Sequence, residues 1–179
     1  MMSRLHTINA TEATGQTAQL FGAIKSAVGK VPNAYLVIGS NAPEVLANVL
    51  QTGALLKNST LSARELEAIN LSVSEASACD YCVAAHTMTG KMAGYSAEQT
   101  RELRAGSYPE DSKIDALVRF ALALVKTAGT LPANAVANVR EAGYTDRQII
   151  EAIQAVSAIL FTNMVNRVND TVVDFPKVA

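Results

Sequence analysis

Apolar residues along this chain recur at three- and four-residue steps, the period of a helix with one buried face. Ile114, Leu117, Val118, Ala121, Leu122 and Val125 make one such stripe, and Ile149, Ile150, Ile153, Val156, Leu160, Met164 and Val168 make a longer one. No alternating run competes as a strand. Start signals punctuate the pattern. Ser62-Ala63-Arg64-Glu65 is a capping box with Leu61 and Leu66 as its hydrophobic staple, and Thr145-Asp146-Arg147-Gln148 repeats the device between Tyr144 and Ile149. Weaker boxes run from Asn41 to Glu44 and from Ser96 to Gln99, and Leu131-Pro132 puts a proline in a first turn. Gly94, Gly106, Gly129 and Gly143 each follow a helical stretch, where a residue of positive φ closes the last turn. The expectation is an all-α protein with helices near 15–29, 33–40, 42–57, 62–77, 79–93, 96–105, 112–128, 132–142 and 145–168. The tail, Asp170 to Ala179, is expected to pack outside the bundle.

Composition narrows this picture in two ways. The chain has 179 residues, so residues 1–179 read as a single domain, long enough to bury about 70 % of its unfolded surface. Its hydrophobic fraction is 49 %, Ala-rich and without Trp, which favours close-packed helices over a β-sandwich. The net charge is -1 with no basic block, so no nucleic-acid partner is expected. No segment reaches the roughly 18 uninterrupted apolar residues of a membrane span: Ala152 to Phe161 is broken by Gln154 and Ser157. With no signal-like stretch in Met1 to Thr11, the expectation is a cytoplasmic protein with no membrane partner.

The chemistry concentrates in Cys79-Asp80-Tyr81-Cys82-Val83-Ala84-Ala85-His86, which holds both cysteines and one of the two histidines. Cys79, Cys82 and His86 fall at i, i+3 and i+7, on one face of a helix, with His86 a turn beyond Cys82. Two cysteines this close form a redox or metal-binding pair rather than a structural staple. The small, polar run Ser74 to Ala78 breaks the helix before them, which places the sulfurs in a first turn. There the free N–H groups and the macrodipole bring a thiol from about 8.5 down to between roughly 3.5 and 7.5. Asp80 opposes this, so the milder end is expected. Glu67, Leu71, Glu75 and Cys79 follow at four-residue steps, and either Glu67 or Glu75 could orient the imidazole of His86 from the preceding helix. The alternative for two thiolates and an imidazole is a zinc site, with only His6 or a Glu to serve as fourth ligand.

At these residues the chain resembles the AhpD-like alkylhydroperoxidases of the carboxymuconolactone decarboxylase superfamily. Their pattern is Glu, eleven residues, Cys, two residues, Cys, three residues, His, and Glu67, Cys79, Cys82 and His86 match every spacing. The likeness extends over a core from about 31 to 176. It implies an AhpD-like helical bundle with the CxxC motif at a helix N-terminus, a homo-oligomer, and a peroxidase that needs no haem, flavin or metal. It implies that Cys82 attacks a hydroperoxide, that Cys79 resolves the product as a disulfide, that His86 and Glu67 move the protons, and that a lipoyl or thioredoxin-type dithiol supplies electrons. Superfamily members that decarboxylate carboxymuconolactone generally lack the cysteine pair. A non-redox enzyme of that kind, a disulfide reductase, and a metal-binding or interaction module remain the alternatives.

Overall fold

The computed structural model describes residues 3–178; the outermost positions of the expected single domain, 1–2 and 179, lie outside the described residues. Among the described residues there is no strand. A single 3-10 turn, Ala10–Glu12, precedes the helices α1 (Gly15–Val28), α2 (Asn33–Asn41), α3 (Pro43–Lys57), α4 (Ala63–Ala76), α5 (Asp80–Met92), α6 (Ala97–Arg104), α7 (Ser112–Thr127), α8 (Asn134–Glu141) and α9 (Asp146–Asn169). The boxes at Ser62, Ser96 and Thr145 form as the sequence predicts. The one expected at Asn41 does not: Ala42 caps α3, and the Asn41 amide donates to the carbonyls of Val37 and His6.

Helix α4 is the axis of the bundle, packed against α5, α6, α7 and α9. It buries two sides at once. Ile69 and Val73 enter a cluster with Leu117, Phe120, Tyr144, Val156 and Ile159, while Ala68 and Leu71 enter another with Leu103, Tyr108 and Val118. Each such Leu or Ile contributes about 1.5–3 kcal/mol by leaving water. A third cluster, Phe21, Ile24, Ile38 and Leu46, joins α1, α2 and α3.

The junction between α4 and α5 builds the site. The Ala78 N–H donates to Glu75 O at 2.9 Å and the Cys79 N–H to Ser74 O at 3.0 Å, the bond pair of a Schellman ending, with Ala78 at φ 49° in the left-handed position. This turn delivers Cys79 directly as the N-cap of α5.

Two sequence expectations are corrected here. On α9, Ile150, Ile153, Met164 and Val168 are exposed, and the buried face is Ile149, Ala152, Ala155, Val156, Ile159, Asn163, Asn166 and Asn169. Small Ala residues let α9 approach α4 closely, and the three asparagines find buried partners, so hydropathy alone selects the neighbouring face. By length and composition α9 could cross a membrane, yet it is the helix against which α4 and α7 pack. The tail does not lie outside the bundle. Val172 O accepts from the Asn33 amide at 2.9 Å, Thr171 is buried, and Phe175 packs edge-on to Tyr81 at 5.4 Å.

Candidate active site

Cys79 and Cys82 are both reduced and buried, with their sulfurs 2.6 Å apart. Cys79 Sγ also accepts the Cys82 backbone N–H at 3.4 Å, as an N-cap oxygen would. Cys79 is held below the usual thiol range, first by the hydrogen bond with Cys82; burial opposes this, the Cys82 N–H and the charge of His86 reinforce it, and Asp80 again opposes. Cys82 is pushed up by its hydrogen bond with Cys79, by burial and by the Cys79 charge, against smaller lowering contacts from Asn166 and Thr162. The two thiols share a hydrogen bond and therefore titrate as a unit.

Helix α4 sets the carboxylate. Glu67 Oε2 meets His86 Nδ1 at 2.9 Å and accepts the Thr89 hydroxyl at 2.8 Å, and Oε1 accepts the Asn70 amide at 3.4 Å. Burial pushes the Glu67 carboxyl up, but the His86 charge and the hydrogen bonds from His86, Thr89 and Asn70 together outweigh it and hold the group below the ordinary value. With Nδ1 engaged, Nε2 is the nitrogen that His86 has left for the cavity it lines. Glu75, the other candidate carboxylate, is drawn to α6 and pairs with Arg104 Nε at 2.6 Å. His6 is exposed, and among the described residues no group of three or more His, Cys, Asp or Glu side chains is placed to hold a metal ion.

A cavity of about 260 Å³ opens beside α5. Cys82, His86, Thr162 and Asn166 form its reactive wall, and Ala34, Tyr81, Ala85 and Phe175 are among its apolar lining; Cys79 lies behind Cys82 and outside the wall. The tail braces this wall: Tyr81 donates to Asp174 Oδ1 at 2.8 Å, accepts the Ala34 N–H at 3.1 Å, and Asp174 pairs with Lys30 at 2.9 Å. Burial first, then the Asp174 partner, push the Tyr81 hydroxyl well above its usual range, so it stays a donor.

Three site residues escaped the sequence reading. Thr89 sits one turn beyond His86, a spacing that could have marked it. Thr162 and Asn166, with Asn163 and Asn169, interrupt an apolar helix at helical spacing, and that interruption was the available signal.

An all-helical bundle that presents Cys82 and His86 to one cavity, with Cys79 against the first and Glu67 against the second, can be compared with known proteins. The sequence profile described as the carboxymuconolactone decarboxylase family matches residues 43–127, from α3 through α7. Its fold is similar to that of the AhpD-core peroxidase-related protein of Ralstonia eutropha, at TM-score 0.85, 19 % identity, and coverage of 97 % of this chain and 93 % of that one. A peroxidase-related protein of Silicibacter superposes at TM-score 0.78 with 21 % identity over 96 % of this chain and 93 % of its own. The debrominase Bmp8, solved with 2,3,4-tribromopyrrole, superposes at TM-score 0.79 with 15 % identity over 97 % of this chain and 93 % of its own. No curated protein matches the chain by sequence.

Proposed function

We propose that the protein is a dithiol peroxidase in which Cys82 reduces an organic hydroperoxide. The observation that carries this reading is the placement of Cys82 on the cavity wall, with Cys79 in contact behind it and the His86–Glu67 pair on the same side. When the shared proton rests on Cys79, Cys82 presents a thiolate to the cavity. Its sulfur bonds the terminal oxygen of R–O–O–H, the O–O bond breaks, and the alkoxide leaves with a proton from His86 as R–OH. The sulfur is thereby oxidised by two electrons to a sulfenic acid. Cys79 then attacks that sulfur, the S–O bond breaks, and the hydroxide leaves as water with the Cys79 proton. A dithiol donor of lipoyl or thioredoxin type reduces the disulfide by exchange. Glu67 keeps the imidazole oriented, as a carboxylate beside a catalytic His does.

The cysteine pair supports redox chemistry over decarboxylation, which has no use for two adjacent thiols. The apolar cavity wall supports an organic peroxide rather than hydrogen peroxide alone. A homo-oligomer belongs to the same reading, with the exposed α9 stripe as the face for a second copy.

Turnover with hydroperoxides and a panel of dithiol donors tests the assignment. Cys82→Ser should abolish peroxide consumption, whereas Cys79→Ser should still be oxidised once, leave a Cys82 sulfenate that dimedone captures, and fail to turn over. Sulfenate on Cys79 in the Cys82→Ser protein, with none on Cys82 in the reciprocal variant, would reverse the two roles. Because one protein of this fold is a debrominase, a brominated pyrrole belongs in the panel. Its reduction without hydroperoxide consumption would contradict the peroxidase reading.

A further inference from the structure

The chain is sparing with aromatic rings, holding four Phe, five Tyr and no Trp. Three of these nine residues converge on the cavity in front of Cys82 from distant parts of the sequence: Tyr35 from α2, Tyr81 from the first turn of α5 and Phe175 from the tail. Their packing fixes them there. The Tyr81 hydroxyl is held between the Ala34 N–H and Asp174, and the Phe175 ring meets the Tyr81 ring edge-on, with 5.4 Å between centroids and 82° between planes. Lys30, paired with Asp174, sets its ammonium 4.5 Å from the Phe175 centroid. Tyr35 is seated against the core cluster of α1, α2 and α3. Tyr81 is buried, at 5 % exposure, whereas Tyr35 and Phe175 are each partly open. Those two supply the aromatic surface that lines the substrate space.

We propose that the cavity selects hydroperoxides whose R group carries a single aromatic ring, and that Phe175 and Tyr35 determine this specificity. The selection rests on the peroxidase reading and names its substrate class. Size sets the first limit on R. The cavity of about 260 Å³ falls just below the roughly 300–1,000 Å³ of sites that enclose drug-sized ligands, so it has room for one ring and not for a fused system. Reach sets the second. The terminal oxygen must meet Cys82 Sγ for the sulfur–oxygen bond to form, which leaves R against the other residues that line the same space. A ring placed there meets Phe175 and Tyr35 edge-to-face or offset, arrangements worth more than burial of an equal aliphatic area. The chemistry is unchanged: the O–O bond breaks, Cys82 keeps the terminal oxygen as its sulfenic acid, and R–O⁻ leaves with a proton as the aryl-bearing alcohol.

Stopped-flow oxidation of the reduced full-length protein compares cumene hydroperoxide with 2-cyclohexylpropan-2-yl hydroperoxide, which has the same branched carbon and a saturated ring. Dividing each rate by that of free cysteine with the same oxidant removes the difference in intrinsic reactivity. The normalised rate should favour cumene hydroperoxide by about 2–12-fold in wild type, the worth of an aromatic contact. Phe175→Leu and Tyr35→Leu each keep an apolar wall and delete a ring, so each should shrink the preference, and the two together should abolish it. Val173→Ala, exposed on the same tail and outside the cavity lining, should leave the preference as in wild type. If Tyr35→Leu does not fold by circular dichroism, Phe175→Leu, in the partly open tail, decides alone. Equal normalised rates in wild type, or a preference unchanged by Phe175→Leu, would overturn the aromatic specificity and leave the peroxidase reading standing. Wild-type protein whose thiols neither hydroperoxide oxidises would overturn that reading, and the specificity with it.

Discussion

Glu67 owes its charge to three neighbours, and removing the charge has consequences for both chemistry and stability. Glu67→Gln keeps a hydrogen-bonding group beside His86 but loses the carboxylate, so hydroperoxide oxidation of Cys82 should slow by about 10²–10⁴-fold, the usual worth of a positioned proton-transfer group. The sign of the pH effect follows from the depressed carboxyl. Its stabilisation is fully present above the unfolded value, about 4.3, and is lost as pH falls through the lower folded value. Urea unfolding of wild type and Glu67→Gln should therefore show a stability gap that is constant near neutrality and narrows in acid below about pH 4.3. A gap that widens in acid would contradict the pairing. At this scale the sequence carried the grouping of Cys79, Cys82 and His86, because their spacing on one helix defines it. It could not choose between Glu67 and Glu75, since the choice depends on Arg104 of α6, a tertiary neighbour that captures Glu75. Nor could local pattern show that the two sulfurs meet and titrate as a unit, which follows from their contact.

Helices were legible wherever their ends carry local chemistry. Ser62 and Glu65 satisfy each other's backbone groups as their sequence implies, and Gly94, Gly106, Gly129 and Gly143 all adopt positive φ. The break before Cys79 was legible from its small residues, although the left-handed position is filled by Ala78 rather than a glycine. Faces were harder, because a face is chosen by what packs against it. Helix α2 shows the same dependence at Gly39, where a Cβ would lie 2.5 Å from Phe21 Cε1 and 2.7 Å from Leu46 Cδ2. Both partners are fully enclosed, so neither can retreat into solvent. Gly39→Ala should destabilise the protein by about 1–3 kcal/mol through overpacking, despite the better helix propensity of Ala. A midpoint of chemical unfolding equal to or above that of wild type would show that α1 and α3 yield more readily than this packing allows.

For the molecule as a whole, the misjudged face of α9 has a physical meaning. Ile150 is 66 % exposed, Met164 59 % and Val168 61 %, a row of large apolar side chains at helical spacing with no cover from the same chain. Packed against a second copy, this row would leave water. Sedimentation at micromolar concentration should show self-association, and Ile150→Lys combined with Met164→Lys should shift it towards monomer with the helical spectrum retained. A monomeric wild type would remove the α9 face from the account. The fold places a reduced cysteine pair, a His–Glu couple and an apolar cavity side by side, and the central claim is that hydroperoxide oxidises that pair at Cys82. The most direct measurement is a titration of reduced protein with tert-butyl hydroperoxide, without any donor, followed by intact-mass and peptide analysis. The account predicts one peroxide consumed per chain, a product lighter by two hydrogens, and a peptide linking Cys79 to Cys82. Unconsumed peroxide with both thiols still free would contradict it.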